Sequence, residues 1–208
     1  MHRGSEKEER LENEMIQLRK MEQTDLPVFR KWLYTPHVAR WYHDPLDWID
    51  EVEKQDGAFC WIHHFIVEHA GKPIGFCQYY ACKDSEELWE GYTALGGSYS
   101  IDYMIGETDC LGKGFGKMIV AQLTDRIALH PDAKRIVVQP EPENKASCGL
   151  LLSCGFVLDT EKEIYVKPLT CTAAGELFDE SNWSALICKG RYKEVSEMRS
   201  GRRSILRW

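Results

Sequence analysis

With 208 residues, 43% of them hydrophobic and 11% aromatic, the chain is long enough to bury a sizeable core and reads as one domain with appendages. It has no run of about 18 apolar residues and its first ten residues are mostly polar, so no membrane span and no signal peptide are expected, and a cytoplasmic location follows as the default. Net charge is −7, yet from Lys189 onward seven basic residues stand against two acidic ones, a local +5 that leaves −12 on the rest, a balance that argues against nucleic acid as the main body's ligand and suits a cationic one or plain solubility.

Residues 1–14 are highly charged without periodicity and read as an arm. Met15 to Arg19 alternates and predicts a strand. Thr24-Asp25 can cap a helix with Pro27 in its first turn and Leu26, Phe29, Trp32 and Leu33 on its apolar face, and Pro36 is expected to end it. Residues 38–51 mix aromatics with carboxylates and predict a second short helix after Pro45. Their two readings are a stacking surface with charge-assisted hydrogen bonds for a polyhydroxylated cation, and a core-facing Trp pair, Trp41 and Trp48, with a solvated acidic face.

Residues 61–68 predict a strand, 69–73 a turn and 74–81 its hairpin partner. Adjacent residues of a strand face opposite sides, so His63 and His64 are not expected to share a metal. The eight cysteines include no Cys-x-x-Cys and no His pair at zinc-ligand spacing, so free thiols in a reducing compartment are the expectation and no metal site is predicted. A polar stretch from Lys83 to Gly97 carries Asp84, Glu86, Glu87 and Glu90 around Trp89, and a loop of that length is expected at the mouth of any site at the strand ends.

Ser98 to Gly106 predicts the next strand, and Met118 to Ala128 a helix with Met118, Ile119, Leu123 and Ile127 on one face. Between them lies Leu111-Gly112-Lys113-Gly114-Phe115-Gly116-Lys117. Glycines opening a helix let the backbone approach an anion, toward which the free N–H groups of the first turn point, and Lys113 and Lys117 add positive charge. A dinucleotide fingerprint requires glycine where Lys117 stands, and a Walker A loop requires Ser or Thr where Met118 stands and an earlier glycine where Leu111 stands, so both are excluded. A turn without a ligand is the competing reading at this point. Residues 134–140 predict a strand parallel to the preceding one, since a helix-length crossover separates them. Asn144 precedes a short helix over 146–152, and residues 155–158 and 163–168 form a closing hairpin. The tail over 170–208 ends in arginines and is read either as packing back on the acidic body or as a binding segment for nucleic acid, an anionic membrane or a partner.

This order of parts, with the glycine turn, resembles the GCN5-related N-acetyltransferase (GNAT) family over about residues 15–169. The closer resemblance is to the aminoglycoside 6′-N-acetyltransferases, carried by Trp32-Leu33 with His37-Val38 and Trp41, residues 73–80, Ser100-Ile101-Asp102, Leu111 to Gly114, residues 140–144 and Gly155-Phe156 in that order. It implies a mixed α/β (α+β) fold, a central and mostly antiparallel twisted sheet whose fourth and fifth strands run parallel and splay apart, with flanking helices. It implies an enzyme using acetyl-coenzyme A as cosubstrate and no metal. Its pyrophosphate is expected at Leu111, Gly112, Lys113, Gly114, Phe115, Gly116 and Lys117, and its pantetheine arm beside Met104, Ile105 and Asn144.

The resemblance further implies Asp102 as base or orienting carboxylate, an oxyanion donor among the backbone N–H groups near Met104, and a substrate site shaped by Trp41, Gln78, Tyr80 and Asp102, with Glu87 and Glu90 attracting ammonium groups. The chain departs from the family at Leu151, where a leaving-group tyrosine is often found; either Ser147, one turn earlier on the same helical face, carries a water instead, or the thiolate leaves into solvent. The expected reaction is N-acetylation of a primary amine on a cationic small molecule, the 6′-amine of an aminoglycoside antibiotic foremost, by a monomer or homodimer with no membrane partner. The alternatives are acetylation of a polyamine, a peptide N-terminus, a lysine or a siderophore hydroxylamine, or a non-catalytic acyl-coenzyme A-binding module.

Overall fold

The structure is a computed structural model that describes residues 15–85, 91–92 and 96–169. Seven strands form one sheet in the order β1-β2-β3-β4-β5-β7-β6, comprising β1 (Ile16–Lys20), β2 (His63–His69), β3 (Lys72–Ala81), β4 (Ser98–Ile105), β5 (Arg135–Val138), β6 (Val157–Asp159) and β7 (Ile164–Pro168). Every neighbouring pair is antiparallel except β4 and β5. The helices are α1 (Leu26–Leu33), α2 (Pro36–Ala39), α3 (Pro45–Glu53), α4 (Phe115–Ala128) and α5 (Lys145–Ser153).

Strand alternation divides the apolar residues between two faces. On one face Phe29, Trp32 and Leu33 of α1, Val38 of α2 and Trp48, Ile49 and Val52 of α3 bury against Ile66, Phe76 and Met104. On the other, Ile119, Val120, Leu123 and Ile127 of α4 and Leu151 of α5 bury against Leu18, Val67, Cys77, Ile101 and Ile136. Trp48 is thus a core residue, as the bland reading of residues 38–51 has it, while Trp41 stays half-buried at the edge.

Local chemistry explains where the elements differ from their sequence reading. Pro36 does not simply stop α1, which ends at Leu33; it starts α2 from the first turn, where the missing N–H costs nothing. Neither Thr24 nor Asp25 caps α1 by its side chain. Asp25 instead accepts from the Glu22 N–H at 2.8 Å within a short 3-10 turn and takes a bidentate contact from Arg19. β2 begins at His63, later than Trp61, and the β2–β3 turn uses Ala70 and Gly71, both at positive φ. His63 and His64 do face opposite sides, exposed and buried.

One close approach fixes the corner at the end of β4. A Cβ on Gly106 would overlap the Trp32 indole, whose Nε1 donates to Glu107 at 2.8 Å. Gly106→Ala is therefore expected to destabilise the protein by about 1–3 kcal/mol, the usual cost of overpacking, read as a lowered midpoint in urea without change of slope.

Candidate active site

The site forms where β4 and β5 part. They pair only at Ser98–Arg135, Tyr99–Ile136 and Ser100–Val137, so β4 beyond Ser100 has β3 on one side and no strand on the other. The direction of its backbone groups follows from register. Gly106 N–H donates to Ile74 O at 2.8 Å, and hydrogen-bonded pairs alternate along an antiparallel ladder, so Met104 and Asp102 direct their amides at β3. The amides facing the open side belong to Tyr103, whose N–H is taken by the buried Tyr42 phenol, and Ile105. On that same side His37 Nε2 meets Ile105 O at 2.9 Å.

A pocket opens along this gap, lined by Trp41, Tyr80, Asp102, Tyr103, Glu141 and Asn144 among others. Asp102 reaches it from the α1–α3 face. Its Oδ2 accepts from Gln78 Nε2 at 2.9 Å across the ladder, and burial pushes its pKa up to about 6, the Gln78 bond opposing this in part. A carboxylate so placed is ionised at neutral pH yet can hold a proton, which suits it to receive one from an attacking amine. Gln78 itself is fully buried and touches the site only through Asp102.

Tyr103, the next residue, leaves the sheet on the opposite face, packs against the α4–α5 cluster and exchanges a 2.7 Å hydrogen bond with Ser147 Oγ of α5. Tyr42, buried in the pocket wall, keeps its phenol protonated through burial and the nearby Asp102 charge. Over the mouth, His43 Nε2 meets Glu141 Oε1 at 2.6 Å, linking the segment before α3 to the β5–α5 loop.

At the other end of the gap the glycine turn enters α4. Gly112 and Gly114 have φ of +72° and +84°, the left-handed region, and a Cβ at either would meet nothing within 4 Å. Open space beside a left-handed backbone means that conformation, rather than crowding by the protein, selects glycine here. No side chain caps the first turn of α4, and with Lys117 N–H donating to Gly114 O at 3.1 Å the Phe115 and Gly116 N–H groups are left to an incoming acceptor, with Lys113 and Lys117 exposed beside them. Gly116 has a different reason: a Cβ there would stand 2.9 Å from Leu150 Cδ2, so this glycine lets α5 close on α4. Phe115 is buried and Leu111 exposed.

The expected site residues thus fall into groups. Trp41, Tyr80, Asp102 and Asn144 line one pocket, and the Leu111 to Lys117 turn lies at the start of α4. Asn144 has a structural duty as well, its Oδ1 accepting from Ser147 N–H at 3.1 Å to cap α5. Met104 turns its side chain into the α1–α3 core and its amide toward β3, away from the gap. Leu151 is fully buried. Glu87 and Glu90 lie outside the described residues. Tyr42, Tyr103 and Glu141 were given no role in the sequence reading. Alternation beside Asp102 and the Pro140-Glu141-Pro142 bracket were the only signals that could have raised the last two.

The family model for the acetyltransferase (GNAT) domain matches residues 22–164. The chain belongs to this family. Membership makes this GNAT protein an N-acetyltransferase, with acetyl-coenzyme A as its acetyl donor, and the turn into α4 has the chemistry that a pyrophosphate needs. It is 25% identical over 150 residues to the aminoglycoside N(6′)-acetyltransferases type 1 of Klebsiella pneumoniae and Serratia marcescens, spanning 69% of this chain and 75% of theirs. A crystal structure of an aminoglycoside acetyltransferase in complex with coenzyme A and kanamycin superposes with a TM-score of 0.62 at 25% identity, covering 74% of this chain and 94% of that one. The aminoglycoside N(6′)acetyltransferase of Legionella pneumophila shares the fold with a TM-score of 0.58 at 19% identity, covering 74% and 92%.

Proposed function

We propose that the protein acetylates the 6′-amine of an aminoglycoside antibiotic. The observation that carries this reading is Asp102, a desolvated carboxylate held by Gln78 in an aromatic-walled pocket that opens onto the unpaired edge of β4. The similarity to aminoglycoside N(6′)-acetyltransferases supports it, at an identity too low to carry the acceptor by itself.

In this reading the uncapped first turn of α4, with Lys113 and Lys117, binds the pyrophosphate of acetyl-coenzyme A through backbone N–H groups. Ile105 and Asn144 border the pantetheine arm, and the open-side amide of Ile105 stabilises charge on the acetyl oxygen. Gln78 fixes Oδ2 of Asp102, leaving Oδ1 to orient the amine and take its proton. Trp41 and Tyr80 offer the sugar aromatic surface. Glu141, held at the mouth by His43, is a second carboxylate for a polyamine-like substrate and exchanges the imidazole for an ammonium when one arrives.

The test is regiochemical. Purified protein, acetyl-coenzyme A and kanamycin should yield a mono-acetylated product whose amide proton correlates with the 6′ methylene in two-dimensional NMR. A product acetylated at another amine would leave an N-acetyltransferase with a different site preference and overturn the 6′ assignment.

A further inference from the structure

Where the family often has a tyrosine to protonate the departing sulfur, this chain has Leu151, and Leu151 is fully buried in the core and carries no proton to give. Direct acetyl transfer still ejects a thiolate, whose developing charge is met by a hydrogen bond or a proton as it departs. The described residues offer an alternative donor within the same pocket. Tyr103 and Ser147 both line it, and their hydroxyls lie 2.7 Å apart, joining β4 to the first turns of α5 at the gap that β5 leaves.

The two faces of β4 make the arrangement chemically sensible. Consecutive strand residues point to opposite sides, so Asp102 enters the pocket from the α1–α3 face and Tyr103 from the α4–α5 face. At the carbonyl carbon of a thioester the amine arrives on one side and sulfur departs on another. A base and an acid carried by adjacent residues of one strand can therefore serve the two groups without competing for one position. Burial keeps the Tyr103 phenol protonated and opposes its ionisation, the Ser147 bond offsetting this in part, so the phenol meets the sulfur as a hydrogen-bond donor and gives up its proton only as Ser147 resupplies it.

We infer that the Tyr103 hydroxyl, resupplied through Ser147, is the proton donor to the departing sulfur of coenzyme A, replacing the donor that Leu151 cannot be. The inference rests on the acetyl-transfer chemistry proposed above. In the step, the amine nitrogen bonds to the acetyl carbon and the carbon–sulfur bond breaks with its electron pair passing to sulfur. The amine's proton goes to Asp102 and the Tyr103 O–H proton goes to sulfur, giving amide and free thiol. Ser147 then returns a proton to Tyr103 and recovers its own from solvent, to which Asp102 releases the one it took.

The test separates contact with sulfur from a structural bond between β4 and α5. Coenzyme A and desulfo-coenzyme A, which lacks the thiol, are titrated calorimetrically into wild type, Tyr103→Phe and Ser147→Ala, and turnover is measured with acetyl-coenzyme A and kanamycin. Wild type is expected to bind coenzyme A several-fold more tightly than the desulfo form. Tyr103→Phe should bind both equally, at the wild-type affinity for the desulfo form, and lose at least about tenfold in kcat with KM for acetyl-coenzyme A little changed. Ser147→Ala should fall between, keeping the sulfur preference but turning over more slowly. Unchanged kcat in Tyr103→Phe, or an equal weakening of both ligands, would overturn the inference. Wild type that binds neither ligand would sink the acetyl-transfer reading itself, and this inference with it.

Discussion

Asp102→Asn is expected to lower kcat by about 10²- to 10⁴-fold, the range for removing a positioned general base, while leaving coenzyme A affinity within about threefold. The amide keeps the shape and can still accept from Gln78 Nε2, so the pocket is preserved while the proton acceptor is lost. With its pKa at about 6, Asp102 must be ionised to act, so the wild-type rate should rise with pH through about 6 and this limb should vanish in the variant. Stability should move the other way. The unfolded carboxyl ionises near pH 4 and the folded one near 6, so the native state holds more protons between these values and loses stability as pH rises across them, by about 3 kcal/mol in total. Removing the ionisable group abolishes that loss. Asp102→Asn should therefore unfold at a higher urea concentration than wild type at pH 7.5, with the difference closing below pH 4. A variant that is neither slower nor more stable would remove Asp102 from the mechanism and its desolvation from the account.

Gly114→Glu is expected to weaken acetyl-coenzyme A binding by at least about a hundredfold. The left-handed backbone at φ +84° costs a side chain about 1–2 kcal/mol, and the new carboxylate is set at the uncapped start of α4, where two phosphates must compete with it. No protein atom lies within 4 Å of the added Cβ, so packing is undisturbed and far-ultraviolet circular dichroism should not change. Gly149→Ala is the control. It lies within α5 with open space at its Cβ, and alanine there should bind as wild type and be slightly more stable. Wild-type affinity in Gly114→Glu would mean that the glycine turn does not cradle the pyrophosphate.

Much of the framework was legible in the residues because local signals agreed with burial. The alternation of Met15 to Arg19, the 3.6-residue repeat of Ile119, Leu123 and Ile127, and the crossover length before Arg135 each point to the element that forms. The glycine turn was legible as a device but not residue by residue. Positive φ explains Gly112 and Gly114, whereas Gly116 answers to Leu150, a contact more than 30 residues away that no local pattern encodes. Pro36 was legible in part: the helix before it ends at Leu33 as expected, but the absent N–H that bars a helix interior is harmless at the start of the next, which the sequence reading did not give.

The site was less legible because it depends on pairings between strands. Asp102 was marked by its place after an apolar run, but its bond to Gln78 follows from β3–β4 register. The identity of the open-side amides follows from the phase of the same ladder, which turns the Met104 amide toward β3 and the Ile105 amide toward the gap. Tyr103 reads in sequence as one more aromatic of a strand. Only the splay, which lets it reach Ser147 across the missing β5 contact, gives it a chemical setting. Eight cysteines could have suggested pairing, and the six within the described residues form no disulfide.

The central claim is that this GNAT acetyltransferase serves a polycationic aminosugar. Release of free thiol from acetyl-coenzyme A, followed with a thiol-reactive dye against kanamycin, spermidine and an amino-terminal peptide at equal concentration, tests it most directly. The account predicts kcat/KM for kanamycin at least about a hundredfold above the other two, a gap of about 2.7 kcal/mol in transition-state binding. Turnover of the peptide or the polyamine with kanamycin inert would contradict it.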